Sequence, residues 1–153
     1  MGAGEGPRMS EHLQTLFPGL RTSLFRVTSP ADAKYNCIAW AANDPSKWWW
    51  PAGKAPDVVW PGSAARAVTL DAFTAAFLTL GYGVSADEAL ETGFDKVPLF
   101  ADLKGPPTHA ARQLPSGRWT SKLGNAVDIE HELRALEGEI YGVVALILKR
   151  PLS

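Results

Sequence analysis

The run Lys34-Tyr35-Asn36-Cys37-Ile38-Ala39-Trp40-Ala41-Ala42-Asn43-Asp44-Pro45 leaves this chain the least freedom. It is apolar on every side from Cys37 to Ala42, and a helix of that kind belongs inside a domain. Asn36 is a good N-cap and Pro45 a good stop, which predicts a buried helix with Cys37 in its first turn. Unpaired amide N–H groups and the positive end of the helix dipole meet there, and both favour a thiolate. Such a position moves a thiol from about 8.5 towards 7 or below. Two other readings stand beside the nucleophile. A lone cysteine is often only a small buried hydrophobe. A rival helix start at Ser29-Pro30-Ala31-Asp32 would place Cys37 well inside a longer helix, away from the dipole.

The chain has 153 residues, 46% of them hydrophobic, enough for one domain with a real core. Its formal charge of -1 carries no electrostatic footprint for nucleic acid or an anionic membrane. One cysteine excludes an internal disulfide framework and suits a reducing compartment. The start, Met1 to Arg8, has no apolar core for a secretory signal, and nothing approaches the ~20 apolar residues of a membrane span. The expectation is a cytoplasmic protein, although delivery by a dedicated secretion machine leaves no mark of this kind. Residues 1–9 are Gly-rich and expected to be disordered, leaving residues 10–153 as a single domain.

Ser10 caps a short predicted helix carrying Leu13, Leu16 and Phe17. Residues 24–28 read as a strand or an extended segment. Lys47 to Pro51 and the loop to Trp60 hold four tryptophans, read either as walls of a cleft or as a satellite core under a long loop. Thr69 opens a helix with Leu70, Phe73, Phe77 and Leu80 inward, and Gly81 closes it. Residues 95–103 read as an edge strand, because Pro98 cannot donate to a ladder. Residues 108–114 and 118–123 form a hairpin, 128–136 an amphipathic helix, and 140–148 a central strand. Helices first and strands later make an α+β layout.

His109 is the second candidate. Pro115-Ser116-Gly117 fits a three-residue turn that pairs Leu114 with Arg118, and therefore 111 with 121. Alternation then puts His109 on one face with Trp119 and Ser121, which lies diagonal to it. A catalytic imidazole needs such an orienting neighbour. The plainer reading is a structural histidine on a strand. His131, beside Glu130 and Glu132 on the expected helix, reads as a solvated residue. No cluster has zinc-ligand spacing and no phosphate loop appears, so neither metal nor cofactor is expected.

A capped Cys37, a loop-rich middle and a late hairpin bearing His109 resemble, in that order, the papain-like cysteine hydrolase superfamily. The likeness is to its compact bacterial branch of NlpC-like and CHAP-type cell-wall amidases and peptidases. CHAP domains place a polar residue before the cysteine and Trp-Tyr-Ala after it, and Asn36-Cys37-Ile38-Ala39-Trp40-Ala41 is similar. NlpC-like enzymes carry the third polar residue about twelve positions after the base, which here is Ser121. The chain also resembles an uncharacterised bacterial family with the strings Tyr-Asn-Cys-Ile-Ala-Trp-Ala and Thr-His-Ala-Ala-Arg-Gln-Leu through Arg-Trp-Thr-Ser-Lys-Leu-Gly.

The resemblance implies a papain-like fold and hydrolysis of an amide bond in a peptide, protein or peptidoglycan-like substrate. Cys37 would be the nucleophile and His109 the base, with Ser121, Asp128 or Asn125 holding the ring. Tyr35 or Asn36 would assist at the oxyanion, and Trp40, Trp50 and Trp119 would line the substrate cleft. Three alternatives use the same residues differently: an inactive binding module with a Trp-rich cleft, a toxin-system or immunity partner with an exposed patch at Trp48-Trp49-Trp50, and a transamidase or deamidase.

Overall fold

The computed structural model describes residues 5–29, 35–42, 48–51, 58–62, 64–123 and 127–152. It is α+β, with three helices and two small antiparallel sheets among the described residues. In chain order these are α1 (Glu5–Leu16), β1 (Arg26–Ser29), α2 (Cys37–Ala41), β2 (Trp48–Trp49), β3 (Val58–Val59), α3 (Leu70–Leu78) and β4 (Gly83–Val84). Then come β5 (Phe94–Ala101), β6 (Pro107–Ala110), β7 (Arg112–Gln113), β8 (Trp119–Lys122), β9 (Asp128–His131) and β10 (Val143–Pro151). One sheet runs β1-β9-β8-β7 and the other β4-β10-β5-β6, while β2 and β3 form a short parallel pair. Among the described residues no helix is long and apolar enough to cross a membrane.

Two apolar clusters flank the sheets. Ile38, Ala41, Phe73, Phe77, Val97, Leu99 and Leu148 make the first, under α2 and α3. Leu13, Phe17, Leu20, Phe100, Trp119, Ile129 and Leu136 make the second, under α1. Alternation along β5 divides them: Leu99 faces one cluster and Phe100 the other.

Several elements form where expected. Thr69 caps α3 by accepting from the Ala72 amide at 3.1 Å, and Phe73 and Phe77 are buried. The hairpin keeps its expected register: the Leu114 amide donates to the Arg118 carbonyl at 2.7 Å, and Arg112 faces Thr120. Its first arm, however, is broken at Ala111 into β6 and β7, one in each sheet.

Other expectations fail. The helix α1 begins at Glu5 rather than Ser10. Residues 95–103 are not an edge strand, because β5 lies between β10 and β6. Pro98 is tolerated there because its carbonyl accepts the Ala111 amide at 3.3 Å. Its donor-less nitrogen therefore faces the break between β6 and β7 instead of a continuous ladder. Residues 128–136 are strand β9 followed by a 3-10 turn at Leu133–Leu136, not a helix. Pairing on both sides, with β1 and β8, outweighs the helical spacing of Ile129, Leu133 and Leu136. The rival helix start at Ser29–Asp32, the stop at Pro45 and Asn125 fall wholly or partly outside the described residues.

Gly142 has φ +75, and a Cβ there would strike the backbone of Ala101. Gly81 has φ +90 with open space around it. Gly142→Ala is expected to lose roughly 3 kcal/mol or more in urea unfolding, and Gly81→Ala only about 1 kcal/mol. Equal losses would show that the close approach at Gly142 does not constrain the fold.

Candidate functional site: a buried histidine relay beside Cys37

Asn36 holds Cys37 in place. Its Oδ1 accepts the Ala39 amide at 3.1 Å, capping α2, and also the Trp49 amide at 3.0 Å. Its Nδ2 donates to the Trp49 carbonyl at 2.6 Å. The expected cap is therefore present, but every polar atom of the Asn36 side chain is committed to structure.

The sulfur meets the second sheet at its edge. In β6 the Ala111 amide turns towards β5 to bond Pro98, so the Ala110 amide faces the open side. That amide, with those of Cys37 and Ile38, donates towards the Cys37 sulfur. All three favour the thiolate, as does the nearby Lys122 charge, yet burial outweighs them and pushes the thiol up to about 11. This corrects the expected depressed value. A five-residue helix has little dipole to offer, and Cys37 is only 7% exposed.

His109 lies one residue before the Ala110 amide and is fully buried. Its Nε2 is 2.9 Å from Ser121 Oγ, the contact expected from the hairpin register. Ser121 Oγ is in turn 2.7 Å from His131 Nε2, and His131 Nδ1 is 2.8 Å from the Glu132 carbonyl. The chain of bonds crosses from one sheet to the other, since His109 is on β6 while Ser121 and His131 are on β8 and β9. His109 Nδ1 is buried without a hydrogen-bond partner. No hydrogen bond therefore joins it to the sulfur. Tyr141 stacks on the imidazole at 4.0 Å and 6°. Burial, and secondarily Cys37, raise the Tyr141 phenol.

His131 is the residue that the sequence expectation misplaced. It is fully buried in β9, not solvated on a helix. The signal available was its separation from Ser121: with β8 and β9 paired, Ser121 faces Ile129 and His131 lies diagonal to it. The other proposed ring holder, Asp128, sits on the opposite face of β9 by alternation and accepts the Tyr35 hydroxyl at 2.9 Å. Asp128 is thus not the partner of His109, and Tyr35 directs its proton to a carboxylate rather than to an oxyanion. Lys122, also fully buried, stands 5.1 Å from the Tyr35 ring.

The tryptophans divide. Trp119 is buried, and Trp50 packs edge-on against Phe73 at 5.3 Å. Trp60 is also buried, while Trp49 and Trp50 are half-buried against the first cluster, and the Trp48 side chain of the expected patch lies outside what is described. Trp40 is half-buried, stacked on Tyr35 at 5.5 Å, with the Arg112 guanidinium 4.9 Å over it. Its Nε1 donates to Thr120 Oγ1 at 3.2 Å. An open groove of about 1090 Å³ runs past Glu91, Asp95, Arg112 and Arg150, and neither Cys37 nor His109 lines it. Among the described residues no three His, Cys, Asp or Glu side chains converge as a metal site.

Burial holds His109 well below the ordinary 6.5, helped by the neighbouring His131, and burial lowers His131 to about 4. Both rings are neutral in the fold and take up protons on unfolding. Their stabilisation is complete above about pH 6.5 and is lost as the pH falls towards 4. Unfolding free energy should fall across that window, with a slope smaller by about one proton in His131→Gln. Identical slopes in the two proteins would mean that His131 titrates normally.

A family model for a domain of unknown function, DUF7689, matches residues 26–149. The chain belongs to that family. Neither a curated protein nor a solved structure matches it.

Proposed function

We propose that the protein is a papain-like thiol hydrolase that cleaves an amide bond, with Cys37 as nucleophile and His109 as general base. The observation that carries this reading is the state of His109. Its Nε2 is tied to Ser121 while its Nδ1 is buried without a partner, one residue from the amide that touches the sulfur. A buried ring nitrogen left unpaired is costly, and a catalytic role is one of the recognised reasons for such an atom. Catalytic hydrogen bonds are often long before substrate is bound. The chain order of cysteine, histidine and a polar residue twelve positions later supports the same reading.

The electrostatics favour a neutral pair over a preformed thiolate–imidazolium. As the Cys37 sulfur bonds the substrate carbonyl carbon, the thiol proton passes to His109 Nδ1. The tetrahedral oxyanion is met by the Cys37 amide. Collapse breaks the C–N bond, and the imidazolium returns the proton to the leaving amine. Water, losing a proton to Nδ1, then releases the acyl group and restores the thiol. Tyr141 covers one face of the imidazole. Trp40, half-buried with Arg112 above it, is suited to contact a peptide, protein or peptidoglycan-like substrate.

The raised thiol and the covered ring favour a second reading, a papain-like binding module without turnover. An activated ester separates the two. With p-nitrophenyl acetate, the wild type should acquire one acetyl group on Cys37, seen by mass spectrometry, and then lose it to water. Cys37→Ala should acquire none there, and His109→Gln should acylate roughly 10²-fold more slowly. Acylation unaffected by His109→Gln, or absent from a folded wild type, favours the binding module.

A further inference from the structure

We infer that His131 is a positioning residue that acts through Ser121 to fix which nitrogen of His109 carries the proton. The inference rests on the hydrolase reading for its purpose but on hydrogen-bond direction alone for its content. The Glu132 carbonyl can only accept, so His131 Nδ1, 2.8 Å away, must carry a hydrogen. In a neutral ring the other nitrogen is then bare. His131 Nε2 accepts, and the donor 2.7 Å from it is the Ser121 hydroxyl. With its single hydrogen spent on His131, Ser121 Oγ can only accept from His109, 2.9 Å away. His109 Nε2 therefore carries the hydrogen and Nδ1 presents a lone pair. One backbone carbonyl dictates the whole sequence.

This resolves why a serine occupies a place where an imidazole base is ordinarily held by a fixed acceptor. Alone, a hydroxyl both donates and accepts, and it would accept either tautomer of His109. His131 removes that ambiguity. The direction also depends on both histidines staying neutral, which complete burial enforces. Without the acceptor at position 131, the Ser121 hydroxyl turns its hydrogen to His109 Nε2. The ring proton moves to Nδ1, the nitrogen that the hydrolase reading needs bare.

The test uses the full chain labelled with ¹⁵N in its histidine rings at pH 7.5, with tautomers read from ring-nitrogen shifts and couplings. The wild type should show His131 as the Nδ1–H form and His109 as the Nε2–H form. His131→Phe should move His109 to the Nδ1–H form and slow iodoacetamide alkylation of Cys37 roughly 10²-fold. His131→Gln, whose amide oxygen can still accept, should restore much of both. A wild-type His109 in the Nδ1–H form overturns the inference even if His131→Phe does not fold. So does a folded His131→Phe with the wild-type tautomer. Correct tautomers in a protein that never forms an acetyl-enzyme leave the relay standing and remove the hydrolase reading instead.

Discussion

A carbonyl that can only accept, at Glu132, anchors three side chains in a row, His131, Ser121 and His109, the last ending in an unpaired nitrogen. The chain joins the two sheets where the strand carrying His109 crosses from one to the other at Ala111. Phe100 meets the imidazole edge-on and Tyr141 stacks on it, so the same ring is both a packing element and the end of the polar chain. Because buried polar groups destabilise a fold unless they are paired, the register of β8 against β9 and of β7 against β8 is fixed by chemistry as well as by the apolar pattern.

The cysteine end obeys a different balance. Three backbone amides and the Lys122 charge lower the thiol, yet loss of water around the sulfur dominates. A thiol held at about 11 is almost fully protonated at neutral pH, so any nucleophilic role needs a base at the moment of attack. A neutral imidazole with a bare nitrogen is such a base. The two perturbed groups share one cause: burial that disfavours thiolate also disfavours imidazolium, so neither ion is present at rest.

The sequence made the local devices legible. Asn36 as a cap, Thr69 as a cap and the Pro115-Ser116-Gly117 turn were readable because each is decided within a few residues. The turn then carried the hairpin register far enough to place Ser121 against His109. What stayed hidden depended on neighbours distant in the chain. Ile129, Leu133 and Leu136 keep helical spacing, but strands on both sides claim residues 128–131, and that change of element buries His131. Pro98 marks an edge only when its nitrogen faces a continuous strand, and here it faces a break. The thiol's environment was misjudged for a related reason. A cap is local, whereas desolvation sums over everything that packs around the sulfur.

The most direct measurement is the rate of Cys37 alkylation by iodoacetamide from pH 6 to 11 in the wild type and in His109→Gln. If the imidazole serves the sulfur, the wild type reacts near pH 7 roughly 10²-fold faster than the variant, and the two converge as the thiol ionises of its own accord towards about 11. Superimposable profiles that rise only with the thiol's own ionisation would contradict it, leaving Cys37 as a buried apolar residue and the relay as a structural feature.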